Sequence, residues 1–125
     1  MVPAELIGTR GEDPVILVVE DEILIRMSVS EHLRNAGFTV IEAGDADEAL
    51  RLLRVRPDIM LMLTDIRLPG AMDGSALIRV VRSERPQVKV IAGSGVGTAE
   101  PVDGAIKKPY DYEAVIRLIE SVLNR

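Results

Sequence analysis

Four polar features of this 125-residue chain have residue types and positions that could do chemistry. The acidic triplet at 20–22 and the carboxylate of Asp65 each follow an apolar run typical of a buried strand. If these carboxylates converge, their repulsion requires a cation, and Mg²⁺ binds through one or two carboxylates, water and phosphate oxygens. Ser94 and Lys108 offer a hydroxyl and an ammonium group that could hold a phosphoryl group at the same point. Because aspartate can act as a nucleophile in phosphoryl transfer, the set indicates phosphorylation of an aspartate.

Each of these features also has an ordinary structural explanation. An acidic triplet is usually a solvated loop, and an aspartate close to a Pro-Gly pair, such as Asp65, often caps a turn or a helix. Lys108 could be a surface lysine, and Ser94, which stands among glycines, could be an ordinary loop residue. The position of the triplet and of Asp65 directly after apolar runs favours the chemical interpretation, because α/β sheets bind ligands at their strand ends.

Composition and motifs disfavour other chemistries. The chain has no cysteine, which excludes a thiolate metal site and a cysteine nucleophile, and the single histidine, His32, argues against zinc. The glycine-rich stretch at 93–97 starts like a dinucleotide-binding loop, but Thr98 stands where the third glycine is required and Pro101 interrupts a following helix. A phosphatase with an aspartyl nucleophile would need a second acid two residues later, where Arg67 stands.

Charge and hydropathy bear on where the protein acts. The net charge is −5 and the isoelectric point about 4.9, which disfavours nonspecific binding to nucleic acid or to anionic membranes. No apolar run approaches the ~20 residues that span a bilayer, and the first residues show no secretion signal. These features predict a cytoplasmic protein without direct contact to nucleic acid or membrane.

The candidate residues need a scaffold, and the hydrophobic pattern predicts one in which strands and helices alternate. Five short apolar runs are typical of strands, at 15–19, 39–43, 59–63 (continuing to Asp65), 88–92 and 105–106. The stripes between them are typical of amphipathic helices, and one opens with Asp45 and Glu48 in the spacing of a capping box. This alternation predicts a parallel sheet with helices on both faces.

Such a doubly wound sheet brings the carboxyl ends of its strands to one crevice, where the candidate residues stand. Hydrophobic residues make up 47% of the chain and charged residues 28%, a mixture typical of a folded domain. We expect one domain over 14–125, preceded by a flexible tail at 1–13. The pattern alone leaves open which of the two common strand orders the sheet has.

Five motifs together carry a resemblance to a known family. They are Val-Ile-Leu-Val-Val-Glu-Asp-Glu (15–22), Leu-Thr-Asp-Ile-Arg-Leu-Pro-Gly (63–70), Met-Asp-Gly (72–74), Val-Ile-Ala-Gly-Ser-Gly (90–95) and Lys-Lys-Pro-Tyr (107–110). In this order they make residues 14–124 resemble a CheY-like response-regulator receiver domain. The resemblance implies a flavodoxin-like α/β fold, a doubly wound five-stranded parallel sheet of order 2-1-3-4-5.

The resemblance also implies a role for each candidate residue. Asp65 would be the phosphoacceptor, while Ser94 and Lys108 would contact the phosphoryl oxygens. The Mg²⁺ ligands would be Glu20, Asp21, Asp65 and the backbone carbonyl of Arg67. The peptide bond between Lys108 and Pro109 would be cis.

By the same resemblance the protein would be a phosphoacceptor signalling module of a two-component system. It would not be an enzyme beyond self-phosphorylation from small donors and self-dephosphorylation. A sensor histidine kinase would transfer a phosphoryl group to Asp65 in a Mg²⁺-dependent step, which would switch binding to an unknown downstream protein. Two alternatives stay open: a phosphate sink for a shared kinase, and a pseudo-receiver that binds its partner without phosphorylation.

Several features depart from the family pattern. Ala105 stands where the family usually carries a switch aromatic on its fifth strand, and the loop at 69–74 has one extra residue. The segment between Ser94 and Lys108 contains three glycines and a proline. Because these residues disfavour a helix, we expect the helix between strands four and five to be shortened to a turn or absent. Because no effector domain follows Arg125 in this sequence, we expect a single-domain response regulator.

Overall fold

The computed structural model of the protein describes residues 14–94 and 100–124. Within these residues strands and helices follow one another along the chain. They are β1 (Val15–Val19), α1 (Ile23–Asn35), β2 (Thr39–Ala43), α2 (Ala46–Val55), β3 (Ile59–Asp65), α3 (Gly74–Glu84), β4 (Lys89–Ser94), β5 (Gly104–Lys107) and α4 (Tyr112–Leu123). None of the described helices has the length and apolar composition needed to cross a membrane. The expected tail at 1–13 lies outside the described residues.

The strands form one parallel sheet in the order β2-β1-β3-β4-β5. The predicted α/β fold and its 2-1-3-4-5 strand order are therefore confirmed. The central strands β1 and β3 are buried along their length apart from Met60, because helices cover both faces of the sheet. The edge strand β5 is short, and its residues alternate between half-buried and exposed.

Apolar side chains alternate along the strands and fill a core on each face of the sheet. From β1, Ile16 and Val18 join the cluster that includes α1 and α4, whereas Leu17 and Val19 join the cluster that includes α2 and α3. Burying one side chain of this kind stabilises the fold by about 1.5–3 kcal/mol. These two layers hold the strand ends in fixed positions.

Local sequence signals explain where the elements begin and end. Gly37 has a φ of +100° between α1 and β2, a backbone conformation that favours glycine. Three helices begin with an aspartate whose carboxylate accepts a backbone hydrogen bond in the first turn, namely Asp45 in α2, Asp73 in α3 and Asp111 in α4. The cap predicted at Asp45 is therefore confirmed.

The connection from β4 to β5 differs from the other crossovers. Its residues 100–103 contain no helix, and its residues 95–99 lie outside the described residues. In the part that the structure describes, the expected loss of a full helix is confirmed. Ala105, which replaces the family's aromatic, is exposed on β5.

Polar contacts hold the described part of this connection. Arg82 of α3 donates to the carbonyl of Pro101 at 3.1 Å and pairs with Asp103 at 2.9 Å. Asp103 in turn donates its N–H to the carbonyl of Val90 on β4, and its Oδ2 accepts from the N–H of Val90, both at 2.8 Å. Charged and backbone groups thus take the place of a packed helix face here.

Candidate functional site

The carboxyl ends of four neighbouring strands form one edge of the sheet, and the predicted residues stand there. Glu20 follows β1, Asp65 ends β3, Ser94 ends β4 and Lys108 follows β5. The sheet register places Asp65 opposite Gly93, so the half-buried Ser94 is the next residue along β4. The topology therefore brings together residues that are far apart in the chain.

Lys108 joins the acids of two strands. Its Nζ donates to Glu20 Oε1 at 2.6 Å and to Asp65 Oδ2 at 2.8 Å. The side chain of Glu20 is 3% exposed and that of Asp65 is 11% exposed, so water screens these pairs only weakly. The peptide bond between Lys108 and Pro109 is cis, as predicted. One ammonium group faces two carboxylates, which leaves the site negatively charged.

A third carboxylate completes an acidic cluster. One carboxylate oxygen from each of Glu20, Asp21 and Asp65 lies within 4.8 Å of the others. Asp21 is exposed whereas the other two are buried, so the cluster opens to solvent at Asp21. Carboxylate oxygens are hard ligands that suit Mg²⁺, and a divalent cation together with Lys108 would balance three carboxylates. The residues present therefore fit such an ion.

Burial and charge pairing change the acid–base properties of this cluster. Burial raises the pKa of the Glu20 carboxyl, and the hydrogen bond from Lys108 opposes that shift. Burial by itself would lower the pKa of Lys108, but its hydrogen bonds to Asp65 and Glu20 raise that pKa well above its usual range. Lys108 therefore stays positively charged beside Asp65.

The loop after β3 holds the second oxygen of Asp65. The backbone N–H of Arg67 donates to Asp65 Oδ1 at 3.1 Å. The N–H of Gly74 donates to the carbonyl of Ile66 at 2.9 Å, and a Cβ at Gly74 would lie 1.9 Å from the carbonyl oxygen of Asp65. The first residue of α3 thus packs directly on the backbone of Asp65, which requires glycine at this position.

Two residues that contact the site were not predicted from the sequence. Tyr110 lies so close to β4 that a Cβ at Gly93 would be 2.0 Å from its hydroxyl oxygen. Burial raises the pKa of this hydroxyl, and the Nζ of Lys108 lies 5.7 Å from the ring centroid. The second residue is Arg26 of α1, whose Nη1 donates to the carbonyl of Glu20 at 2.9 Å. A glycine inside an apolar strand signals a close approach and could have pointed to Tyr110, whereas nothing in the local sequence points to Arg26.

The structure brings most of the predicted residues together, with one exception in the acidic triplet. Glu22 is exposed and stands at the N-cap of α1, outside the acidic cluster. Its backbone N–H donates to Glu20 Oε2 at 3.2 Å. Glu22 therefore contributes to the loop through its backbone.

Comparison with known proteins identifies the family. Residues 16–120 match the Response regulator receiver domain, and the chain belongs to this family of two-component signalling proteins. A putative response regulator, NtrX-like, from Rickettsia felis is 34% identical over 99 residues, which are 78% of this chain and 21% of that protein. The chain thus spans about a fifth of the length of that relative.

Solved structures show the same architecture. The CheY-like response regulator receiver domain protein from Methanospirillum hungatei is 28% identical with a TM-score of 0.83, over 90% of this chain and 94% of that one. The receiver domain of NtrX from Brucella abortus is 33% identical with a TM-score of 0.80, over 87% of this chain and 98% of that one.

Proposed function

We propose that Asp65 is a phosphoacceptor that a sensor histidine kinase phosphorylates in a Mg²⁺-dependent reaction. The observation that carries the proposal is the position of the Lys108 ammonium group, which hydrogen-bonds both Glu20 and Asp65. The exposed carboxylate of Asp21 lies on the open side of the same cluster. The site therefore combines a nucleophilic carboxylate at a strand end, a fixed positive charge and an acidic pocket that opens to solvent at Asp21.

In the proposed reaction a carboxylate oxygen of Asp65 attacks the phosphorus of a phosphohistidine. A phosphorus–oxygen bond forms while the phosphorus–nitrogen bond breaks, and the histidine nitrogen leaves with the bonding electrons. Lys108 and Ser94 would hold the phosphoryl oxygens. Bound Mg²⁺ would neutralise charge on those oxygens. Its ligands would be Glu20, Asp21, Asp65 and the backbone carbonyl of Arg67.

The surface beside the site supports protein partners. Ile23, Leu24 and Met27 directly follow the acidic loop and are 61%, 80% and 55% exposed. Exposed apolar side chains close together on one helix are compatible with a protein-binding surface. The proposed partners are the histidine kinase and an unknown downstream protein, without nucleic acid or membrane. We place this receiver domain at 14–125, after a flexible tail at 1–13, in the cytoplasm.

The consequence of phosphorylation is proposed to be a change in protein binding. A doubly charged phosphoryl group beside Lys108 would break the existing hydrogen bond to Asp65 and reorganise the nearby loops. A phosphate sink that drains a shared kinase uses the same chemistry and is the alternative. A pseudo-receiver would not use it, and the complete set of acids, hydroxyl and lysine argues against that reading.

Intact-mass spectrometry after incubation with a small phosphodonor tests the proposal. We expect one added phosphoryl group in the presence of Mg²⁺, much less without Mg²⁺, and none in Asp65→Asn. The exposed Asp47 of α2 gives a matched control, because Asp47→Asn makes the same chemical change outside the site and should leave phosphorylation unchanged. Failure of the wild type to gain a phosphoryl group would support a pseudo-receiver, and full phosphorylation of Asp65→Asn would refute the assignment of Asp65.

A further inference from the structure

The side chain of Arg26 on α1 binds the start of the acidic loop at 20–22. Its guanidinium Nη1 donates to the carbonyl of Glu20 at 2.9 Å, and its backbone N–H donates to the carbonyl of Glu22 at 2.9 Å. The second bond is the first backbone bond of α1 and does not depend on the side chain. The guanidinium contact with the Glu20 carbonyl is therefore what ties the Arg26 side chain to the loop, whose middle residue is the exposed Asp21.

Glu42 on β2 holds Arg26 in place. The Nε of Arg26 donates to Glu42 Oε1 at 3.2 Å, and the two side chains are only 21% and 25% exposed. Arg34, two turns further along α1, donates to the other oxygen of Glu42 at 3.1 Å and to the carbonyl of Val40 at 3.0 Å. Because its planar guanidinium is bound on two sides, Arg26 has a defined orientation.

The backbone of Glu20 is thereby held at both of its polar groups. Its N–H donates to the carbonyl of Ala43 at 3.0 Å, and its carbonyl accepts from Arg26. Because Arg26 binds the backbone carbonyl and not the carboxylate, the Glu20 carboxylate remains free to bind Lys108. The contact orders the loop without occupying an acid of the cluster.

We infer that Arg26 is a positioning residue for the metal site, which sets where the Asp21 carboxylate lies relative to Glu20 and Asp65. This inference rests on the proposed Mg²⁺ site. Loss of an outer partner of this kind typically weakens metal binding, and we expect a loss of about tenfold. The positive charge of Arg26 acts in the opposite sense, because removing a cation near the site would by itself strengthen Mg²⁺ binding. The direction of the change therefore separates positioning from charge.

Arg34 provides a matched control, because it lies on the same helix and binds the same glutamate but shows no hydrogen bond to the loop at 20–22 among the described contacts. Arg26→Lys, Arg26→Met, Arg34→Lys and Arg34→Met would be compared by the rate of phosphorylation from a small phosphodonor at increasing Mg²⁺. We expect both Arg26 variants to raise the half-saturating Mg²⁺ concentration about tenfold with little change in rate at saturation. The Arg34 variants should change it less than about twofold. Calorimetric titration with Mg²⁺ alone should likewise show weaker Mg²⁺ binding in the Arg26 variants than in the wild type and the Arg34 variants.

Several outcomes would overturn the inference: unchanged or tighter Mg²⁺ binding in the Arg26 variants, or equal losses in the Arg34 variants. If the Arg26 variants do not fold, Glu42→Ala removes the oxygen that accepts from Arg26 Nε, and unchanged Mg²⁺ affinity in that variant would overturn the inference as well. Asp21→Asn separates the two proposals. If the wild type does not bind Mg²⁺, or binds it as tightly after Asp21→Asn, the proposed metal site itself is wrong and this inference falls with it.

Discussion

At the scale of single residues, the site depends on one lysine shared between two buried acids. Lys108 hydrogen-bonds Glu20 and Asp65 in a region where water screens charge weakly. Its ammonium group offsets part of the repulsion that a bound Mg²⁺ ion would also offset. Lysine and metal therefore contribute to the same electrostatic balance, and removing one should increase dependence on the other.

We predict that Lys108→Met lowers the free energy of unfolding in metal-free buffer. The expected loss is about 1–3 kcal/mol, because the variant leaves the buried Glu20 without its charged partner. Mg²⁺ should restore part of this loss and stabilise the variant more than the wild type. Chemical denaturation with and without Mg²⁺ measures both effects. Lys107→Met, at the exposed neighbouring residue, is the control and should change little.

Glu20 should give a distinctive dependence of stability on pH. Its pKa in the folded protein is raised above the ordinary value of 4.5, so the folded state binds this proton more tightly than the unfolded chain does. Its contribution to stability therefore grows as pH falls through the raised pKa towards 4.5. In metal-free buffer, the free energy of unfolding of the wild type relative to Glu20→Gln should rise as the pH is lowered from neutral towards 4.5. A difference that falls over this range would contradict the direction of the shift.

At the scale of elements, the loop and helix after β3 support the phosphoacceptor from behind. α3 begins at Gly74, whose Cα lies against the carbonyl of Asp65, and Asp73 caps the helix by accepting from the N–H of Ala76 at 2.9 Å. The helix start and the strand end are thus a single packing unit. Although Gly74 has no side chain, a substitution there should therefore shift the backbone of Asp65.

Gly74→Ala should therefore disturb the site as well as the fold. The added methyl group would lie 1.9 Å from a backbone oxygen, so the helix or the strand end must move. We expect a loss of about 1–3 kcal/mol in the free energy of unfolding, together with slower phosphorylation of Asp65. Thermal unfolding and intact mass measure the two effects. Ser75→Ala, one residue further into α3, is the control, and equal behaviour of the two variants would exclude the packing argument.

At the scale of the whole molecule, the acidic cluster links metal binding to stability. The folded protein gathers three carboxylates within 4.8 Å, whereas an unfolded chain lets them separate. Folding without metal therefore works against their repulsion, and an ion that binds only the folded state should stabilise it.

Mg²⁺ should raise the melting temperature through this linkage. At tenfold excess over the dissociation constant the gain is ~1.4 kcal/mol. For a domain of this size that corresponds to a shift of roughly 4–7 °C. Asp21→Asn should reduce the shift, since it removes the exposed ligand and leaves the buried pair with Lys108 intact. A shift of the same size in Asp21→Asn would mean that Mg²⁺ binds elsewhere, and titration calorimetry would then give the same Mg²⁺ affinity for both proteins.

How much could be predicted from the sequence depends on whether a feature is local. The runs at 15–19 and 39–43 match β1 and β2 residue for residue. The first is an unbroken apolar run that ends at acids, whereas the second includes Thr39 and Glu42 and lies between Gly37 and Gly44. The strand predicted at 88–92 is observed at Lys89–Ser94. Its carboxyl end extends to Ser94 because Gly93 and Ser94 pair with the neighbouring strands.

The site follows the same rule. Glu20, Asp65 and Lys108 could be predicted to meet, because parallel topology brings strand ends together whatever the loops do. The strand order itself came from the family resemblance, since periodicity allows two orders. The contacts of Tyr110 with Gly93 and of Arg26 with Glu20 depend on the distances between separate elements. A local sequence pattern does not predict those distances.

The contact between Glu20 and Lys108 has a consequence for how the protein is made. The ribosome completes residue 20 long before residue 108, and the two side chains are 88 positions apart. Until β5 has emerged and taken its place at the sheet edge, a growing chain holds its acids without the lysine that balances them. A nascent chain should therefore be unable to accept phosphate in the native way, and competence for signalling should appear only once nearly the whole domain has been synthesised.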